Sequence, residues 1–297
     1  MNNEKIPDFN AFLHAPVEQI MPLAPPSVVF AAGGSRRAAV LDGVAPESAD
    51  YIEWARKQLI ASVELLFRYG VDHVFTIAMT PDNFRETGAY PELLRRSLDA
   101  GLAGPQALAD YARLGCRVRL LGSDGIPGLE PTAERLSRET ATGGSKTLWS
   151  LIVPDDAAPW RWILEAAQRT GAQTREEAVE ALYGEQVPPV TLLLSTGKPT
   201  ITPTLLPPLL IGKVRCYWRQ RPGPGLHEKE WREILYDYAY TRATWQQDKT
   251  GRAEAALANR HGWEQAPTLG LGTRIGPFWY PERFPPFPGA APEQEIS

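Results

Sequence analysis

The sequence predicts a single α/β domain with a mostly parallel central sheet flanked by helices. Three observations predict it. Short β-like runs recur along the chain, and the first, Val28-Val29-Phe30-Ala31-Ala32, is entirely apolar, as a strand buried on both faces requires. Longer stretches between them carry apolar residues at helical spacing. The two kinds of segment alternate, which is the pattern of parallel strands joined by crossover helices.

Taken in order, Val28-Val29-Phe30-Ala31-Ala32 reads as the first strand, ended by Gly33-Gly34. A long helix spans roughly Pro46 to Tyr69, with Ile52, Ala55, Leu59, Val63, Leu66 and Phe67 along one face and Gly70 as its stop. His73 to Met79 is the second strand, closed by Pro81. Pro91 to Leu114 is helical with a break near Gly101 to Pro105. Cys116 to Leu121 and Leu148 to Val153 are further strands. Helices at Trp160 to Arg169 and Arg175 to Tyr183 follow, then strands Val190 to Leu194 and Val214 to Trp218, and a late helix from Glu228 to Trp245. The expected organisation is an extension over 1–26, a catalytic domain over 27–262 and a tail rich in proline and aromatics over 263–297.

Composition removes several classes of function. Hydrophobic residues are 43% and charged residues 22% of 297, the balance of a globular chain. A net charge of −4 argues against nucleic acid as partner. No apolar run approaches the ~20 residues that span a bilayer, and the first residues lack the pattern of a signal peptide. With only Cys116 and Cys216, no disulfide framework is expected, which fits a reducing cytoplasm. The four histidines are scattered without metal-ligand spacing.

In parallel sheets, ligands gather at the carboxyl ends of strands. After the first strand come Gly33-Gly34-Ser35-Arg36-Arg37, whose glycines, hydroxyl and two guanidiniums suit either a diphosphate or a solvated turn. After the second come Thr80-Pro81-Asp82-Asn83-Phe84-Arg85, a carboxylate, amide, ring and guanidinium that also read as a plain Asp/Asn turn. Tyr51 opens the first long helix and offers a hydroxyl or a ring face. Thr142 to Thr147 imitates a phosphate loop, but its glycines precede a strand, the wrong order, so a loop is expected. Asp155-Asp156 lacks the third aspartate of the metal motif of helical terpene synthases, and no DxDD motif of protonating cyclases is present.

These segments, in this order, resemble the cis-prenyltransferase fold of undecaprenyl diphosphate synthases, and more closely the divergent diterpene synthases on that fold, the tuberculosinol and kolavelool synthases. The resemblance runs from about Ser27 to Trp245. Its markers are the Gly-Ser-Arg-Arg loop, Asp50-Tyr51, Leu66-Phe67 before Gly70, Tyr183-Gly184-Glu185, and Ile234-Leu235-Tyr236-Asp237 with Tyr240 and Arg242. Two departures stand out. Gly33 replaces the aspartate that chain-elongating relatives use with Mg²⁺, and Ser195-Thr196-Gly197-Lys198-Pro199 replaces the Arg-x-Ser-Gly-Glu-x-Arg run that holds isopentenyl diphosphate. Elongation is therefore not expected.

The resemblance implies an enzyme that ionises one bicyclic C20 allylic diphosphate, supplied by a class II diterpene cyclase, and quenches the cation with water to give a kolavelool-like alcohol. Transfer to a nucleoside, or a non-catalytic isoprenoid-binding subunit, are the alternatives. The expected diphosphate ligands are Gly34, Ser35, Arg36, Arg37 and Arg85. Tyr51, Asp82 and Asn83 are the expected catalytic set, and Phe84 and Tyr90 the expected apolar wall. Mg²⁺ stays open, no metal ligand is assigned, and the fold implies a homodimer.

Overall fold

A computed structural model describes residues 6–87, 90–124, 126–241, 248–266, 268–276 and 278–281. Two short helices, α1 (Phe9–Leu13) and α2 (Val17–Ile20), lead into β1 (Ser27–Ala31), every residue of which is buried. Next come α3 (Ser35–Leu41), α4 (Asp50–Arg68), β2 (His73–Met79), α5 (Pro81–Arg85), α6 (Tyr90–Ala103) and α7 (Pro105–Leu114). They are followed by β3 (Arg117–Leu121), α8 (Glu130–Glu139), β4 (Thr147–Ile152), α9 (Ala158–Thr170), α10 (Arg175–Tyr183), β5 (Val190–Thr196) and β6 (Ile211–Arg219). The chain closes with α11 (Glu228–Tyr236), α12 (Arg252–Ala258), α13 (Arg260–Glu264) and a hairpin of β7 (Thr273–Ile275) and β8 (Phe278–Tyr280).

The main sheet has the order β3-β4-β2-β1-β5-β6, and every pairing in it is parallel. The chain leaves β1 toward β2 on one side, while β5, on the other side of β1, leads outward to β6. The carboxyl ends of β1 and β5 thus flank the topological switch point, the usual ligand crevice of such sheets. One face packs Val28, Phe30, Val74 and Leu192 against α4, α7 and α11. The opposite face packs Val29, Phe75, Trp149 and Leu193 against Tyr183 and Val179 of α10.

All the expected strands and long helices are present. The break in the 91–114 segment falls at Gly104, where a Cβ would lie 2.3 Å from the Ala100 carbonyl oxygen, and Pro105 starts α7. The late helix passes into a π-turn at Asp237–Thr241; Arg242 and Trp245 lie outside the described residues. Several elements were not expected from the sequence, α3, α8 and the terminal hairpin among them. The short α3 lies where a loop was expected, because Gly34 at φ 82° turns the chain directly into a helix. Only two residues of α8, Thr132 and Leu136, are buried, so it shows little apolar stripe. The three-residue strands of the terminal hairpin are too short to show alternation. Cys116 and Cys216 are free; the first immediately precedes β3 and the second lies on β6.

Candidate active site

The end of β1 is braced from two sides. The Gly33 carbonyl accepts hydrogen bonds from the Thr196 hydroxyl at 3.0 Å and the Gly223 amide at 2.8 Å. Gly34 adopts a left-handed conformation in a crowded position. A Cβ there would lie 2.7 Å from Nη2 of Arg37 and 2.9 Å from Pro222 Cβ. The Arg37 guanidinium is therefore folded back over Gly34, at the switch point. Ser35 opens α3, and its hydroxyl is 2.7 Å from that of Tyr51 on the first turn of α4. Tyr51 stacks on Trp54 at 6.1 Å between ring centres, and the Trp54 indole N–H donates to Asp42 at 3.2 Å. The two rings fix where the phenol points.

Behind the Ser35–Tyr51 pair lies a cavity of about 180 Å³ between α4, α6 and the end of β2. Arg36 and Tyr51 stand on its wall with Ser35, while Ile52, Ala55, Leu59, Leu94, Leu98 and Ala78 make the rest largely apolar. The stripe of α4 that looked uniform in sequence is thus divided. Its first half lines this cavity, and Val63, Leu66 and Phe67 are core. One further charge reaches the wall. Arg56, whose side chain is 11% exposed, pairs with Asp110 of α7, so its charge is compensated where an isolated one would be very costly.

The segment after β2 contributes differently from the expectation. Asn83 caps its own helix, its Oδ1 accepting from the Thr80 amide at 2.9 Å and the Thr80 hydroxyl at 3.1 Å. Asp82 is 86% exposed and pairs with Arg85 at 3.1 Å, and Arg85 also reaches Asp156 at 3.7 Å. Phe84 packs beside Met79, Leu129 and Ile152, behind the cavity and not among its lining residues. Tyr90 opens α6, but its side chain lies outside the described residues. The link between the two strand ends is Glu86. It accepts from Arg36 at 3.4 Å and from the Asn83 amide at 3.5 Å. Sequence reasoning passed over Glu86, Arg56 and Gly101, another cavity-lining residue. No local motif marks them, because each acquires its role only through a contact across helices.

A divalent cation fits this site poorly. The groups at the β1 end are two hydroxyls and two guanidiniums, and Gly33 offers no side-chain ligand. The nearby Glu86 carboxylate is engaged by Arg36. Among the described residues no group of three or more His, Cys, Asp or Glu could hold a metal ion. The described residues at the β1 end do not make a protein-held Mg²⁺ site.

The architecture is that of the cis-prenyltransferases. It matches lavandulyl diphosphate synthase from Lavandula x intermedia, solved with dimethylallyl diphosphate, at a TM-score of 0.59 and 13% identity over 74% of this chain and 97% of that one. It also matches a probable undecaprenyl diphosphate synthase from Campylobacter jejuni at a TM-score of 0.52 and 17% identity, over 72% and 94% of the two chains. At such identities the likeness is one of fold. No protein-family model matches the chain. In sequence it is 44% identical over 277 residues to (+)-kolavelool synthase from Herpetosiphon aurantiacus, covering 93% of this chain and 96% of that protein. The chain belongs to the diterpene synthases of the cis-prenyltransferase fold, and is an enzyme acting on a prenyl diphosphate.

Proposed function

We propose that this enzyme ionises a bicyclic C20 allylic diphosphate of the kolavenyl type and captures the cation with water, giving a kolavelool-like alcohol and diphosphate. The observation that carries the reading is the Ser35–Tyr51 hydroxyl pair, 2.7 Å apart, at the entrance of a cavity that is otherwise largely apolar and has Arg36 on its rim. The hydrocarbon skeleton fills the cavity and the diphosphate stays at the β1 end.

Arg36 and Arg37, directly after Gly34-Ser35, stabilise the negative charge that builds on the departing diphosphate as the C–O bond breaks. The bonding pair leaves with the diphosphate oxygen. The allylic cation left behind is shielded by aliphatic walls and meets the face of Tyr51, an attraction worth roughly 0.5–2 kcal/mol. A water molecule adds its lone pair to the cation. The proton it must lose passes to the Tyr51 hydroxyl, whose own proton moves through Ser35 to the diphosphate. Asp82 and Arg85, paired to each other in solvent, stay outside this exchange.

The substrate is supplied by a class II diterpene cyclase acting on a linear C20 diphosphate. The enzyme works in the cytoplasm as a homodimer, a state that sedimentation checks. Among the described residues no helix is long and apolar enough to cross a membrane.

The test is incubation with bicyclic C20 diphosphates in ¹⁸O-water. One labelled oxygen in the alcohol per diphosphate released is expected, at a rate unchanged by EDTA. Tyr51→Phe should keep KM and lower kcat by about 10²-fold, as for loss of a positioned proton carrier. A nucleoside adduct formed when adenosine is present would transfer the assignment to prenyl transfer.

A further inference from the structure

We infer that the terminal hairpin β7–β8 belongs to the diphosphate site, with Phe278 and Trp279 as positioning residues for Arg37 and Lys198. The inference rests on the reading of Arg37 as a diphosphate ligand. The Arg37 guanidinium lies over the Phe278 ring at 5.6 Å, and the Lys198 ammonium over the Trp279 ring at 6.0 Å. Neighbouring residues of one strand therefore engage the two cations that stand at the carboxyl ends of β1 and β5, on either side of the switch point.

The frame beneath them is continuous. Thr196 of β5 bonds to Gly33, Gly197 donates to the Arg219 carbonyl at 2.9 Å, and Gly270 sits against Pro199, so the hairpin's approach rests on the segment that carries Lys198. Trp279 packs against the residue just before β7. A Cβ on residue 272 would lie 2.2 Å from the indole nitrogen and 2.0 Å from the Tyr280 carbonyl oxygen, so only glycine permits this packing.

The chemistry of the contact gives it a purpose. A ring face attracts a cation without neutralising it. Arg36 is paired with Glu86, whereas among the described residues no carboxylate pairs with Arg37 or Lys198. An aromatic partner fixes these two cations in place and leaves their charge for an incoming anion. A carboxylate in the same place would compete with that anion.

Phe278 is 40% exposed, so replacing it leaves the core intact. The experiment is calorimetric titration of the full chain with inorganic diphosphate. Phe278→Leu and Trp279→Leu should each raise Kd about 2- to 5-fold, the worth of an exposed cation–π contact. Phe278→Tyr, which keeps the ring, should restore the wild-type value. Combined with Arg37→Ala, Phe278→Leu should add nothing, because its partner is gone. Wild-type binding by Phe278→Leu, or the same loss with and without Arg37, overturns the inference. If Arg37→Ala itself leaves Kd unchanged, the diphosphate reading beneath it falls as well.

Discussion

Both faces of the sheet are closely packed along most of their length, and they differ at the carboxyl ends of the strands, where only the α4 side leaves a cavity. On the α10 side, Phe75 and Trp149 stack at 5.7 Å, and Tyr183 meets Trp149 edge-on at 5.3 Å, with its hydroxyl bonded to the Pro208 carbonyl at 2.7 Å. Large rings fill that interface. On the α4 side the corresponding stretch of β2 ends in Ala78, which faces Ala55 of α4 and Gly101 of α6 across the cavity. Close packing of helix on sheet needs bulk at the contact. Where the side chains shrink, the helices stand off and a pocket opens. The site is thus made as much by small residues as by charged ones.

The filled face can be broken first. Trp149→Ala should cost about 3–5 kcal/mol of stability, as large aromatic truncations in cores do, while turnover per folded molecule is preserved; denaturant melts and a rate assay separate the two. On the open face, Arg37→Ala should lower kcat by about 10²–10³-fold, the usual cost of losing one group that stabilises developing negative charge, with little change in melting temperature. Gly101→Leu sharpens the comparison further. A Cβ there meets Ile52 at an ordinary 3.5 Å, so the helix accepts it and the longer side chain extends into the cavity. kcat/KM should fall about tenfold, while stability rises by roughly 0.5–1 kcal/mol through helix propensity.

The smallest effect concerns pH. His73 is buried on β2, and the Trp149 indole N–H donates to its Nδ1 at 3.2 Å. Burial holds its pKa below the ordinary 6.5. The unfolded chain therefore takes up this proton at higher pH than the folded one. The stabilisation is complete above pH 6.5 and is lost as pH falls through the folded value. Melting temperature should decline below about pH 6.5, and His73→Gln should flatten that part of the profile.

The loop proposed to hold the diphosphate was legible as a candidate because glycines, a hydroxyl and adjacent arginines at a strand end form a local pattern. Tyr51 was legible only through resemblance; in isolation it is one aromatic at a helix start. The partners of the segment after β2 were not legible. Its Asn83 is occupied by capping α5, and its Asp82 and Arg85 by each other. Such intramolecular partners do not show in a list of residue types. Glu86 and Arg56 were passed over for the converse reason, since their partners Arg36 and Asp110 lie 50 and 54 residues away.

The strand–helix alternation, the parallel sheet and the glycine–arginine loop after β1 follow from local patterns, because backbone hydrogen bonding and side-chain periodicity act over a few residues. Which half of α4 faces a cavity, which arginine is matched by a carboxylate, and where the terminal aromatics come to rest were decided by packing between distant segments. Those outcomes depend on the volumes and charges of both partners at once, and neither stretch of chain carries that information alone.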